Sequence, residues 1–160
     1  MIGERSFKKS SSLLKRMKVK EVMIKNYPKI YLNDPIDKVI QILTKVPESS
    51  LPVVDKKNRI IGEIDQHELL LLDVGKAEFG HEEFNLKRIK TLFKKSKKKV
   101  ADFINQYDLI VSPEDDVLDV AKKMYEEDIS TLPVVKENKV VGIITDILIL
   151  KKYKAIRDKD

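Results

Sequence analysis

The sequence predicts an α/β (α+β) protein made of two tandem copies of one small unit, each running strand-helix-strand-strand-helix. Three observations carry this. First, the chain repeats itself: Leu51-Pro52-Val53-Val54 returns as Leu132-Pro133-Val134-Val135, an offset of 81. The same offset maps Val19 onto Val100, Asp34 onto Asp115, Val39 onto Val120 and Ser49 onto Ser130. It drops to 80 past a turn, where Asn58 meets Asn138 and Gly62 meets Gly142, because one residue is gained or lost most easily in a surface turn. Second, Ile36, Val39, Ile40 and Leu43 have i, i+3, i+4, i+7 spacing, the mark of one buried helix face. Third, each copy holds two short runs rich in β-branched residues on either side of turn residues. A unit of about 55 residues has a core too small to be more than marginal alone. The two units are therefore expected to pack sheet to sheet with pseudo-two-fold symmetry.

The elements follow in order. A short helical turn is expected at Val19–Ile24 and again at Val100–Asn105, then a brief strand at Ile30–Leu32 and Leu109–Val111. Asn33 or Asp34 precedes Pro35, and Ser112 precedes Pro113. Each places a capping oxygen before a proline whose missing N–H costs nothing at a helix start. The helix of the first copy carries the apolar set above, and that of the second carries Val117, Val120, Ala121 and Met124. Strands are expected at Leu51–Val54 and Ile60–Ile64, and at Leu132–Val135 and Val140–Ile144, with Pro52 and Pro133 read as strand-end features. Asp55-Lys56-Lys57-Asn58 and Lys136-Glu137-Asn138 supply the turns. A last helix, rich in leucine and isoleucine, opens near Asp65 and near Thr145. The resulting segments are a basic arm 1–18, repeat one 19–73, a linker 74–99, repeat two 100–154 and a tail 155–160.

Composition sets the class. At 42% apolar and 36% charged residues, the 160-residue chain is too apolar for a disordered polymer and can bury a core. It has no cysteine, which excludes a disulfide-stapled scaffold and a thiolate metal site. No apolar run reaches the roughly 18 residues of a spanning helix, and residues 1–20 lack a signal-peptide core. A cytoplasmic protein is expected. The net charge of +6 is segregated. Residues 21–86 carry −4 and residues 100–150 carry −7, against +6 on residues 1–20, +8 on residues 87–99 and +3 on residues 151–160. The repeat bodies are acidic, and the arm, linker and tail are basic.

At the two motif blocks the sequence resembles the cystathionine-β-synthase (CBS) domain. The carriers are Leu-Pro-Val-Val, a short turn, and a Gly-Ile-Ile-Thr-Asp-type strand end that opens a helix. A tandem pair of these domains is a Bateman module. The resemblance covers about 110 of the 160 residues, in both repeats, and is closer in the second, with Val111-Ser112-Pro113-Glu114-Asp115 and Gly142-Ile143-Ile144-Thr145-Asp146. It implies a non-enzymatic regulatory module that binds an adenosine-containing ligand (AMP, ADP, ATP or S-adenosylmethionine) in clefts between the repeats. It also implies a homodimer, a regulated partner protein and no obligatory cofactor. The family's Gly-x-x-Thr/Ser-x-x-Asp pattern would put Thr145 and the following helix N-terminus at phosphate, since such a terminus offers free N–H groups and a positive dipole end. The pattern's ribose carboxylate is replaced by Leu148, with Asp146 as a substitute. In the first repeat Asp65 stands at the Thr position and Glu68 at the Asp position. Glu68 would accept from a ribose diol, whereas Asp65 would repel phosphate. The first site is therefore expected to take a nucleoside without phosphate, or a cationic one such as S-adenosylmethionine. Equally, Asp65 and Thr145 read as plain helix caps and Glu68 as a solvated first-turn acid. Ile30, Pro52, Leu109 and Pro133 would line the adenine pocket. Tyr27 and Tyr107 would either stack on a base or sit half-buried as ordinary tyrosines.

The residues suggest no catalysis. His67 and His81 are the two histidines, and His67 lies in Asp65-Gln66-His67-Glu68 on one surface helix, which is not a metal-ligand spacing. The glycines are isolated, with no phosphate loop. Leu86, Ile89, Leu92 and Phe93 in the linker fall on one helical face, ringed by Lys87, Arg88, Lys90, Lys94 and Lys95. Such a helix packs on its own protein or docks on an acidic partner, an anionic membrane surface or nucleic acid. The alternative to ligand binding is a structural or nucleic-acid-associated protein that uses its basic arm and linker.

Overall fold

The structure, a computed structural model, describes residues 16–67, 69, 98–106 and 109–158. The basic arm as far as residue 15, the linker as far as residue 97, Glu68, Tyr107 and residues 159–160 lie outside the described residues. The elements are a 3-10 turn Val19–Glu21, helix α1 (Ile36–Leu43), strands β1 (Ser50–Val54) and β2 (Ile60–Asp65), a 3-10 turn Val100–Asp102, helix α2 (Val117–Glu126), strands β3 (Thr131–Lys136) and β4 (Lys139–Thr145), and helix α3 (Asp146–Arg157). A helix also opens at Gln66. No helix among the described residues is long and apolar enough to cross a membrane.

The chain packs as two units. One is split, Met1–Tyr27 with Asp108–Asp160, and the other is contiguous, Pro28–Tyr107. The packing units are thus cut differently from the sequence repeats. The leading turn of each repeat belongs to the unit built on the other repeat's hairpin.

In the split unit β3 and β4 form an antiparallel pair, with Thr131 opposite Thr145 and Pro133 opposite Ile143, and a bulge between Val134 and Val135. Val111 adds a parallel bridge to Val134, and Ile24 an antiparallel one to Ile143. Leu132, Val134 and Ile144 on one sheet face join Val117, Val120 and Met124 of α2 and Ile149 of α3 in one buried core, which Val19 and Val22 of the leading turn complete. Val19 N–H donates to Asp115 O and Lys20 N–H to Pro113 O, each at 3.0 Å. Lys18 Nζ pairs with Asp116 at 2.8 Å and Lys20 Nζ with Glu114 at 2.8 Å. The Lys20 hydrogen bond holds the Glu114 carboxyl below the ordinary carboxylate range.

The contiguous unit repeats the plan. β1 pairs with β2 (Ser50 opposite Asp65, Pro52 opposite Glu63), Ile30 bridges Val53 and Asn105 bridges Glu63. Val100 N–H donates to Asp34 O and Ala101 N–H to Leu32 O. Ile36, Val39, Leu51, Val53, Ile64, Val100 and Phe103 are buried. The α1 set is as the spacing predicts, with Ile40 at its half-buried edge.

Two expectations change. The capping oxygens of Asn33, Asp34 and Ser112 do not cap the helices. α1 starts after Pro35 and α2 after Asp116, neither with a side-chain cap. The Asp34 and Asp115 carboxylates instead close the preceding turns, accepting from Tyr31 N–H at 3.0 Å and Ser112 N–H at 2.8 Å. The first helical N–H groups go to backbone: Ile36 to Lys98 O at 3.1 Å and Val117 to Met17 O at 2.9 Å. The first strands also shrink to single bridges at Ile30 and Val111. The cause lies in the motif itself. Val111 donates to Pro133 O and accepts from Val135 N–H, so the next parallel bond would run from the nitrogen of Pro133 to Leu109 O. Proline has no proton there. Pro52 and Pro133 are consequently mid-strand residues that stop a ladder, rather than strand ends.

Candidate functional site

The sequence points to the strand-to-helix junctions, and the structure gives each a definite geometry. In the split unit β4 ends on Thr145 in extended backbone (φ −127°, ψ 157°) and α3 begins at Asp146. Thr145 is buried, and its Oγ1 accepts from Leu148 N–H at 3.2 Å. Asp146 is exposed, and its Oδ1 accepts from Ile147 N–H at 2.6 Å. Asp146 N–H donates to Ser130 O at 3.1 Å. The first three N–H groups of α3 therefore all have partners inside the unit. An incoming anion would have to displace the Thr145 hydroxyl or meet the Asp146 carboxylate.

In the contiguous unit Asp65 closes β2 and caps the next helix. Its Oδ1 accepts from His67 N–H at 2.7 Å, and Gln66 N–H donates to Ser49 O at 3.0 Å, the counterpart of the Asp146–Ser130 bond. His67 Nδ1 lies 3.4 Å from the same oxygen, on a side chain that is 74% exposed. Both junction residues thus take the capping role. Glu68, expected to bind ribose, lies outside the described residues.

The remaining predicted site residues are placed as follows. Ile30 is fully buried beside Val53. Its structural counterpart is Val111, not Leu109, which is partly buried against the split unit's core. Pro52 and Pro133 are buried in their strands, opposite Glu63 and Ile143. Tyr27 is buried, and its hydroxyl donates to Val140 O at 3.4 Å. That fixes it as a packed tyrosine of the split unit. Tyr107 lies outside the described residues. Among the described residues, no group of three acidic or histidine side chains is arranged to hold a metal ion.

The reading of single positions missed Glu63. It shares a sheet face with Asp65 and Ser50, and Ser50 Oγ donates to Glu63 Oε2 at 3.2 Å. The signal was present in the repeat, since Glu63 occupies the place of Ile143.

Comparison with known proteins follows the same lines. The sequence profile of the CBS domain matches residues 19–75 and 100–155. The inosine-5′-monophosphate dehydrogenase of Methanocaldococcus jannaschii is 30% identical over 147 residues, 89% of this chain and 25% of that protein. The chain spans between a quarter and just over half of the length of the curated relatives it matches (24%, 25% and 56% for three of them). Among solved structures, the CBS domain pair of protein MJ0100, in complex with 5′-methylthioadenosine and S-adenosyl-L-methionine, superposes with a TM-score of 0.63 at 25% identity, covering 87% of this chain and 97% of that one. CBSX2, a CBS-pair protein of Arabidopsis thaliana solved with AMP, superposes with a TM-score of 0.68 at 23% identity, covering 89% and 98%. At that identity the likeness speaks for the fold alone.

Proposed function

The chain belongs to the CBS domain family, in two copies, and we propose that it is a regulatory, non-enzymatic module that binds an adenosine-containing small molecule. The observation that carries the reading is the duplicated Gly-x-x-Thr/Asp junction. In both copies a strand ends on an oxygen-bearing side chain at a helix start, beside a sheet face with a buried proline. A hydroxyl or carboxylate held there is a sound partner for ribose or for a 5′ substituent. The MJ0100 pair, a quarter identical, was solved with two adenosine compounds bound, which supports the ligand class. Ile30, Pro52, Pro133, Asp65, Glu68, Thr145 and Asp146 are the proposed contacts, with Val111 added beside Leu109. Binding would shift the populations of two conformations and so bias a partner protein, with the chain acting as a homodimer.

A thermal-shift screen of AMP, ADP, ATP, S-adenosylmethionine and 5′-methylthioadenosine tests this. A ligand at a hundredfold excess over its Kd stabilises the folded chain by about 2.7 kcal/mol. At least one compound is expected to raise the melting temperature by several degrees. A flat response to all five would refute the reading.

A further inference from the structure

The two sheets are copies, so a charge present in one and absent from the other marks a difference in what each unit accepts. Strand pairing fixes which residues share a face. In the split unit the face opposite Leu132, Val134 and Ile144 carries Thr131, Pro133, Ile143 and Thr145, all buried and uncharged. In the contiguous unit the same places hold Ser50, Pro52, Glu63 and Asp65. Glu63 therefore stands where the other copy has a fully buried isoleucine. Its backbone is fixed along the edge of β2, donating to Asn105 O at 2.9 Å and accepting from Asn105 N–H at 3.0 Å. Ser50 Oγ orients the carboxylate. One strand repeat, about 7 Å, separates Glu63 from Asp65 on that face. These two positions thus carry two carboxylates where the other copy carries none.

We infer that Glu63 is a specificity-determining residue of the contiguous unit, selecting, with Asp65, an adenosine compound whose 5′ substituent is a sulfonium cation and rejecting a 5′ phosphate. The inference rests on the adenosine-binding reading above and names the charge of that ligand. A carboxylate about 6 Å from a unit charge, at an effective dielectric constant of about 20, changes affinity by roughly a hundredfold. S-adenosylmethionine and S-adenosylhomocysteine differ by one methyl group and the sulfonium charge, so their affinity ratio isolates the charge term. Recognition of the base and ribose cancels from it.

Titration calorimetry on the full chain tests the assignment, with S-adenosylmethionine, its neutral thioether S-adenosylhomocysteine and AMP against wild type, Glu63→Gln and Glu63→Ile. The preference for the sulfonium over the thioether is expected to fall by about tenfold or more in both variants, and AMP affinity to rise. An unchanged ratio in a folded Glu63→Gln chain overturns the assignment and leaves the adenosine reading standing. No binding of any of the three compounds to the wild type overturns the assignment, and the adenosine reading is then decided by the thermal-shift screen. If neither variant folds, salt decides on the wild type alone. The sulfonium preference must shrink as ionic strength rises from about 0.05 to about 0.5 M, because screening weakens the charge term; a salt-independent ratio overturns the assignment.

Discussion

Gly62 and Gly142 hold the same place in the two copies, and in each an edge segment crosses directly over the glycine. A Cβ on Gly142 would stand 2.7 Å from Ile24 O and 3.0 Å from Met23 Sδ, and one on Gly62 would overlap Asn105 O and lie 2.7 Å from Ile104 Cγ1. Neither glycine has a positive φ, so the requirement is for space rather than backbone freedom. Gly142→Ala is expected to lower stability by about 1–3 kcal/mol, through overpacking against a backbone carbonyl. Urea titration of the full chain checks this, and Gly62→Ala should behave alike. The sequence placed both glycines at equivalent strand positions but gave no reason for them. The atoms they avoid come from the other repeat's leading turn, 118 residues away for Ile24 and Gly142. Glu63 was obscured differently. It alternates correctly for a strand, and only comparison with Ile143 across the register reveals a charge in an apolar place.

At the scale of elements, the hairpins and helices were the most legible part. The periodicity of α1 and α2 and the two β-rich runs needed only neighbours within about seven residues. The β3–β4 hairpin turns through Glu137 and Asn138 with φ of 50° and 62°, closed by the Lys136–Lys139 pair. Asparagine tolerates this left-handed conformation, whereas glutamate is strained in it. Glu137→Gly is therefore expected to stabilise the chain by up to about 1 kcal/mol, the relieved strain exceeding the added entropy of the unfolded glycine. A rise in the urea midpoint at constant slope would show it. The caps and first strands were misread for one physical reason: their hydrogen bonds run to segments distant in sequence. The first N–H of α2 goes to Met17 O, so it needed no side-chain cap. The first strand lost its ladder to a proline in β3, which a reading confined to Leu109–Val111 does not weigh.

For the molecule as a whole, the exchange of leading turns decides what can fold alone. The contiguous unit, Pro28–Tyr107, holds its hairpin, α1 and the turn Val100–Asp102 that covers them in one stretch of chain. The split unit needs Val19 and Val22 to complete its core. A fragment of residues 28–107 is expected to unfold cooperatively, whereas residues 108–160 should stay largely unfolded until a peptide of residues 16–27 is added. Circular dichroism melts of the fragments, with and without the peptide, test this; a cooperatively folded 108–160 fragment would contradict it. By itself the sequence determined the duplication, the order of elements, the apolar faces and the family. These depend on local periodicity and on similarity between copies, both visible along the chain. Only the tertiary structure decided which leading turn completes which unit, why two glycines are required, and that Glu63 lies opposite Pro52 with Ser50 on its carboxylate. Those facts depend on strand register and on contacts across about a hundred residues, which no local pattern encodes.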